Sequence, residues 1–154
     1  MRRSLRSALA VLPLVLGGGA IAHGDMHGSA AGAPGDPKQP ARTIDVIMLE
    51  DGSGMHFIPD RVEVRAGEQV RFVLHNKGDL AHEFVLGTRA ENREHAAMMA
   101  EMSDMKHSGG NAATVEPGRT GTLVWRFSHK GDFEFACLIP GHYEAGMHGA
   151  AAVR

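Results

Sequence analysis

Near the C-terminus of the chain, Cys137, His142 and Met147 offer a thiol, an imidazole and a thioether at spacings of five and five. His82, 55 positions before the cysteine, offers a second imidazole. Together they make His₂Cys plus Met, the donor set of a mononuclear type 1 copper centre. Thiolate and thioether suit Cu(I), and imidazole accepts both oxidation states of copper. A trigonal His₂Cys plane with a weak axial Met lies between the geometries the two states prefer, so an electron can come and go with little rearrangement. Pro140 and Gly141 tighten the loop that carries three of the four donors. Zinc could take the same four residues, but a thioether argues for copper. A lone cysteine can also be a small buried hydrophobe or the nucleophile of a Cys–His pair. The second use finds no obvious third group to orient it.

Donors so far apart must be brought together by the elements that carry them. Short period-two runs separated by turn residues cover Thr43–Leu49, Arg61–Arg65, Gln69–His75, His82–Leu86, Thr120–Phe127, Asp132–Cys137 and, weakly, His148–Val153. About seven short strands with turn signals between them predict an all-β, antiparallel sandwich of Greek-key type. Strict alternation puts His82 with Phe84 and Leu86, and Cys137 with Phe133 and Phe135, on the core side of their strands. One segment, Ala90–Lys106, is rich in Ala, Glu and Met without a β-branched residue. It predicts a helix inserted between two strands, ended at Ser108-Gly109-Gly110.

That helix carries a second group of soft donors. His95, Met98, Met99, Met102 and Met105 fall on one side of it, and His107 follows. They read either as a packing face on the sheet or as an auxiliary Cu(I) site. His23, Met26 and His27 form another candidate: cleavage before His23 would place a free amine and an imidazole on one residue, a chelate for Cu(II). Met55, His56 and His148 are looser candidates, and His75 and His129 read as surface residues at strand ends.

Composition bounds the rest. The chain has 154 residues, 10 His, 9 Met and one Cys, with 43% hydrophobic and 22% charged residues. That is one domain's length and an ordinary globular balance. A formal charge of −2 is too near neutral for nucleic-acid binding by phosphate neutralisation. One cysteine excludes an internal disulfide. Arg2, Arg3 and Arg6, the apolar stretch Ala8–Leu16 and the small-x-small triplet Ala20-Ile21-Ala22 read as a signal peptide over 1–22, cleaved after Ala22. The apolar stretch is too short to span a membrane. Arg2-Arg3 also fits a twin-arginine signal, although Arg6 interrupts the stretch that should follow. Residues 23–42, rich in Gly, Ala and Pro, read as a flexible arm, and 43–154 as the folded domain.

Phe57-Ile58-Pro59, Val64 through Phe72, Asn76-Lys77-Gly78, His82-Glu83-Phe84 and the Cys137–Met147 loop together resemble the cupredoxins. The likeness is to the azurin and plastocyanin-like branch, above all the periplasmic copper-tolerance cupredoxins, and covers about residues 43 to 154. It implies His82, Cys137 and His142 as equatorial copper ligands, Met147 as axial ligand, and an approach of the Ala81 carbonyl. Glu83 departs from the pattern, since azurin-like members carry Asn there to support the cysteine sulfur. The resemblance implies a monomeric periplasmic carrier of one electron, not an enzyme in the ordinary sense. Its role would be copper tolerance, with oxidation of Cu(I) as an added activity. A copper sponge or chaperone and a respiratory shuttle are the alternatives. A redox partner would dock near His142, where Leu138, Ile139, Pro140 and Tyr143 supply apolar surface.

Overall fold

A computed structural model describes residues 29–101 and 110–154. The strands are β1 (Gly32–Pro34), β2 (Arg42–Asp51), β3 (Gly54–Ile58), β4 (Arg61–Val64), β5 (Gln69–Asn76) and β6 (His82–Gly87). After helix α1 (Arg89–Glu101) come β7 (Ala112–Val115), β8 (Thr120–Phe127), β9 (Gly131–Ala136) and β10 (His148–Val153). They form two five-stranded sheets, ordered β1-β8-β5-β2-β3 and β4-β10-β9-β6-β7. The predicted Greek-key β-sandwich with one inserted helix is the architecture observed.

Alternating apolar residues drive the two sheets together. Along β5, Val70, Phe72 and Leu74 are buried, and along β8, Leu123, Trp125 and Phe127. Between the sheets Phe84 stacks on Phe135 at 5.0 Å and meets Phe57 edge-on at 5.6 Å. Such ring contacts add to the gain from removing apolar area from water.

Three features differ from the sequence expectation. The sandwich is not wholly antiparallel: β2 pairs with β5, and β4 with β10, in parallel. The chain leaves the first sheet at β3, contributes β4 to the second and returns as β5, so its direction beside β2 is set by that crossing. Strands β3 and β7 lack a clean alternation and were not expected. Finally, the arm predicted over 23–42 is docked where it is described. Ala31 is buried, and β1 pairs with β8. The cause is close backbone approach: Gly32 sits at φ +143°, and a Cβ there would collide with the Arg126 carbonyl. A Gly- and Ala-rich composition signals such an approach as readily as it signals flexibility.

Helix α1 starts on a reciprocal cap. The Glu91 amide donates to Thr88 Oγ1 at 3.1 Å, and the Thr88 amide donates to Glu91 Oε2 at 2.6 Å. Ala96 packs over Val85, Ala136 and Leu138 on the outer face of the second sheet, beside Tyr143. This cover explains why every residue of β6 is buried.

Candidate metal centre

His82 opens β6, and Cys137 follows directly on β9, the strand hydrogen-bonded beside it. Adjacent antiparallel strands therefore bring residues far apart in sequence to one end of the sandwich. His142 and Met147 arrive on the loop from β9 to β10. That loop is a chain of turns: the His142 amide donates to the Ile139 carbonyl, and the Met147 amide to the His142 carbonyl, each at 3.0 Å. Gly141 at φ +88° takes the left-handed conformation this turning needs. From outside, the Met55 amide donates to the Ala145 carbonyl at 2.9 Å and ties the loop to β3.

Three donor atoms converge. His82 Nδ1 lies 3.3 Å from His142 Nδ1, which lies 3.3 Å from Cys137 Sγ. The ligand atoms of all three residues fall within 4.8 Å of one another, and all three side chains are buried. Met147 is fully buried in the same core as Cys137. Burial pushes the Cys137 thiol up to about 11, so the bare pocket disfavours a thiolate. A cation bound among these donors reverses that preference, because it is the opposite charge the sulfur lacks. Burial, with His82 beside it, also lowers the pKa of His142. Two imidazoles and a thiol brought together in this way fit a soft metal ion.

The surroundings hold the donors. The Glu83 amide donates to Cys137 Sγ at 3.3 Å, so the sulfur has a backbone donor although the side chain at 83 is not Asn. The Glu83 carboxyl itself is buried; burial raises it to about 7, against a lowering contribution from the Leu138 amide. Asn76 shapes the segment leading into β6. Its Nδ2 donates to the carbonyls of Leu80 and Val115 at 2.7 and 2.8 Å, and its Oδ1 accepts from the Gly78 amide at 3.0 Å. Tyr143 Oη donates to the buried carboxylate of Glu134 at 3.0 Å, which also receives Asn92 Nδ2 at 3.2 Å, linking the ligand loop to α1.

One residue at the site escapes the sequence reading. Glu50, near the end of β2, places Oε2 at 2.7 Å from His82 Nε2. Burial would raise its carboxyl, but the Asp79 amide, His82 and the Leu80 amide outweigh it and hold the pKa below the usual carboxylate range. Nothing local marks this acid, since its partners lie some thirty residues on.

The auxiliary candidates are divided. Met98 is 42% exposed and Met99 half-buried, so Met98 does not serve as packing filler. His95 is half-buried, and burial lowers its pKa. Met102, Met105 and His107, like His23, Met26 and His27, lie outside the described residues. His56 is held by Ser53 Oγ at 3.1 Å and Asp51 at 3.3 Å, and His148 stacks on Tyr143. His75 pairs with Asp45 at 2.7 Å. Among the described residues, only His82, Cys137 and His142 bring three such donors together.

Comparison with known proteins agrees with this geometry. The profile of "Copper binding proteins, plastocyanin/azurin family" matches residues 44–154. A copper-resistant cuproprotein CopI from Rubrivivax gelatinosus is 46% identical over 140 residues, covering 86% of this chain and 83% of that protein. The CopI of Pseudomonas aeruginosa is 38% identical, covering 99% of this chain and 98% of its own. Among solved structures, auracyanin B superposes with a TM-score of 0.67 at 24% identity, over 80% of this chain and 96% of that one, a likeness of fold.

Proposed function

The chain belongs to the plastocyanin/azurin family of copper-binding proteins, and from that premise we propose that it is an exported, periplasmic one-electron carrier serving copper tolerance. The observation that carries this reading is the convergence of His82 Nδ1, His142 Nδ1 and Cys137 Sγ in a buried pocket. His82, Cys137, His142 and Met147 would hold the copper. Bound copper supplies a one-electron couple. The protein's part is to hold two imidazoles, a thiolate and a thioether in one arrangement that suits both oxidation states. Buried packing and the turn hydrogen bonds of the 137–147 loop keep those donors from relaxing toward either.

A tolerance role is supported by the copper-resistant relatives, which cover most of this chain. As a finer step, Cu(I) captured by Met98 and its neighbours on α1 is the substrate. Each Cu(I) would give up one electron and leave as Cu(II), and an oxidised acceptor protein docking by His142 would take that electron. The mature protein is a monomer that begins at His23, after signal cleavage. No helix among the described residues is long and apolar enough to cross a membrane.

The exposure of Met98 also suits a second reading, copper sequestration without redox work. Titration of the mature protein with copper, followed by absorption and electron paramagnetic resonance, tests the centre. An intense visible band lost in Cys137→Ser is expected; a coloured Cys137→Ser protein would overturn the ligand assignment. If that variant protects cells from copper as well as wild type does, sequestration replaces electron transfer.

A further inference from the structure

His82 is fully buried, and both of its ring nitrogens are committed. Nδ1 faces the donor cluster, 3.3 Å from His142 Nδ1, while Nε2 meets Glu50 Oε2 at 2.7 Å. An ionised carboxylate only accepts hydrogen bonds, so the proton of a neutral imidazole must sit on the nitrogen facing it. Glu50 cannot easily swing away. Its other oxygen, Oε1, accepts the amides of Asp79 and Leu80. Residue 78 is glycine, and a Cβ there would collide with the Glu50 carboxylate. The space is kept open for that group.

We infer that Glu50 is a positioning residue for the copper centre: it fixes His82 as the Nε2–H tautomer, leaves the Nδ1 lone pair for the metal, and through its charge favours Cu(II) over Cu(I). The inference rests on the proposal that His82 is a copper ligand. The electrostatics are simple. With the Cys137 thiolate, Glu50 supplies two negative charges near the metal. Cu(II) balances both, whereas Cu(I) leaves one uncompensated. A carboxylate accepting from an imidazole N–H also makes the opposite nitrogen a stronger donor. Both effects lower the reduction potential and so favour handing the electron on to an acceptor of higher potential. The backbone joins in, since the segment preceding His82 donates the two amides that hold the carboxylate.

Two measurements test this. In the metal-free wild-type protein, ¹⁵N resonances of the histidine rings should show His82 protonated on Nε2 and bare on Nδ1. A proton on Nδ1 would overturn the inference, and this result does not depend on copper. In the copper-loaded protein, Glu50→Gln keeps the shape and an accepting oxygen but removes the charge. The ratio of Cu(II) to Cu(I) affinity should fall about tenfold, a rise of about 59 mV in potential. Gly78→Ala leaves the carboxylate in the sequence but crowds it off His82, and should move the potential the same way. It keeps the test alive should Glu50→Gln fail to fold. Potentials unchanged in whichever of these variants fold would overturn the inference. Absence of a Cys137-dependent coloured centre in wild type would instead overturn the ligand proposal on which it rests.

Discussion

Cys137 and Met147 close the ligand loop on each other: the Cys137 amide donates to the Met147 carbonyl at 3.0 Å. The next residue pair outward, Ala136 and His148, continues the same antiparallel ladder. Both sulfur donors are thus set by the backbone where two neighbouring strands end, and both are fully buried.

Met147→Leu follows directly. Leucine keeps the volume and apolar character of the buried position, so the fold should change by less than about 1.5 kcal/mol. The thioether is lost, and a centre with one donor fewer suits Cu(I), which accepts low coordination numbers, better than Cu(II). Copper should still bind to His82, Cys137 and His142, with a higher reduction potential and a shifted visible spectrum. Voltammetry and absorption on the purified variant check this; an unchanged potential would remove Met147 from the ligand set.

Replacing Met98, Met99, Met102 and Met105 together by Leu should lower the Cu(I) stoichiometry measured by competition with a chromophoric chelator. The Cys137 band should be untouched. Ala96, rather than the exposed Met98, makes the packing contact of α1 with the sheet, so thermal stability should change little. Unaltered Cu(I) uptake would leave these methionines without a metal role.

The cap of α1 gives a pH dependence with a definite sign. Burial pulls the Glu91 carboxyl upward, but the amides of Thr88 and Ala30 and the Thr88 hydroxyl outweigh it, so its folded pKa lies below the ordinary 4.5. A carboxyl with a depressed folded pKa contributes stability that is present above its unfolded value and lost as pH falls through its folded one. Melting of the apoprotein between pH 6 and about 3 should therefore show an acid-side loss that Glu91→Gln reduces. Thr88→Ala, which removes the other half of the cap, should cost about 1 kcal/mol at neutral pH. An identical acid profile in Glu91→Gln would show that the cap is not stabilised by charge.

Phe84 lies between the sheets, stacked on Phe135 and edge-on to Phe57, two positions after His82 on the same face of β6. Phe84→Ala should cost about 3–5 kcal/mol in denaturant unfolding of the apoprotein. It should also weaken copper binding, because the strand that presents His82 loses its anchor. A stability loss with full copper affinity would show the donors to be held by the loop alone.

The strands and the donor residues were legible because both are written locally. Alternation along β5, β6, β8 and β9 names the core face, and the spacing of Cys137, His142 and Met147 names a loop that can fold three donors together. Even the sharing of a face by His82 and Cys137 with their neighbouring phenylalanines follows from parity. The weakly patterned β3 and β7, and the pairing of β1 with β8, were not legible. Their residues become strands because a neighbouring strand offers hydrogen bonds, and no pattern in Gly32–Pro34 encodes the presence of Arg126.

The sequence by itself therefore determined an all-β sandwich and named His82, Cys137, His142 and Met147 as candidate donors, since residue type and local period suffice for both. Only the tertiary structure decided that β6 and β9 lie side by side, that Met98 faces solvent, and that Glu50 grips the far nitrogen of His82. Those are contacts between residues tens of positions apart. Their occurrence depends on how the two sheets are ordered, a property of the whole chain that no single segment carries.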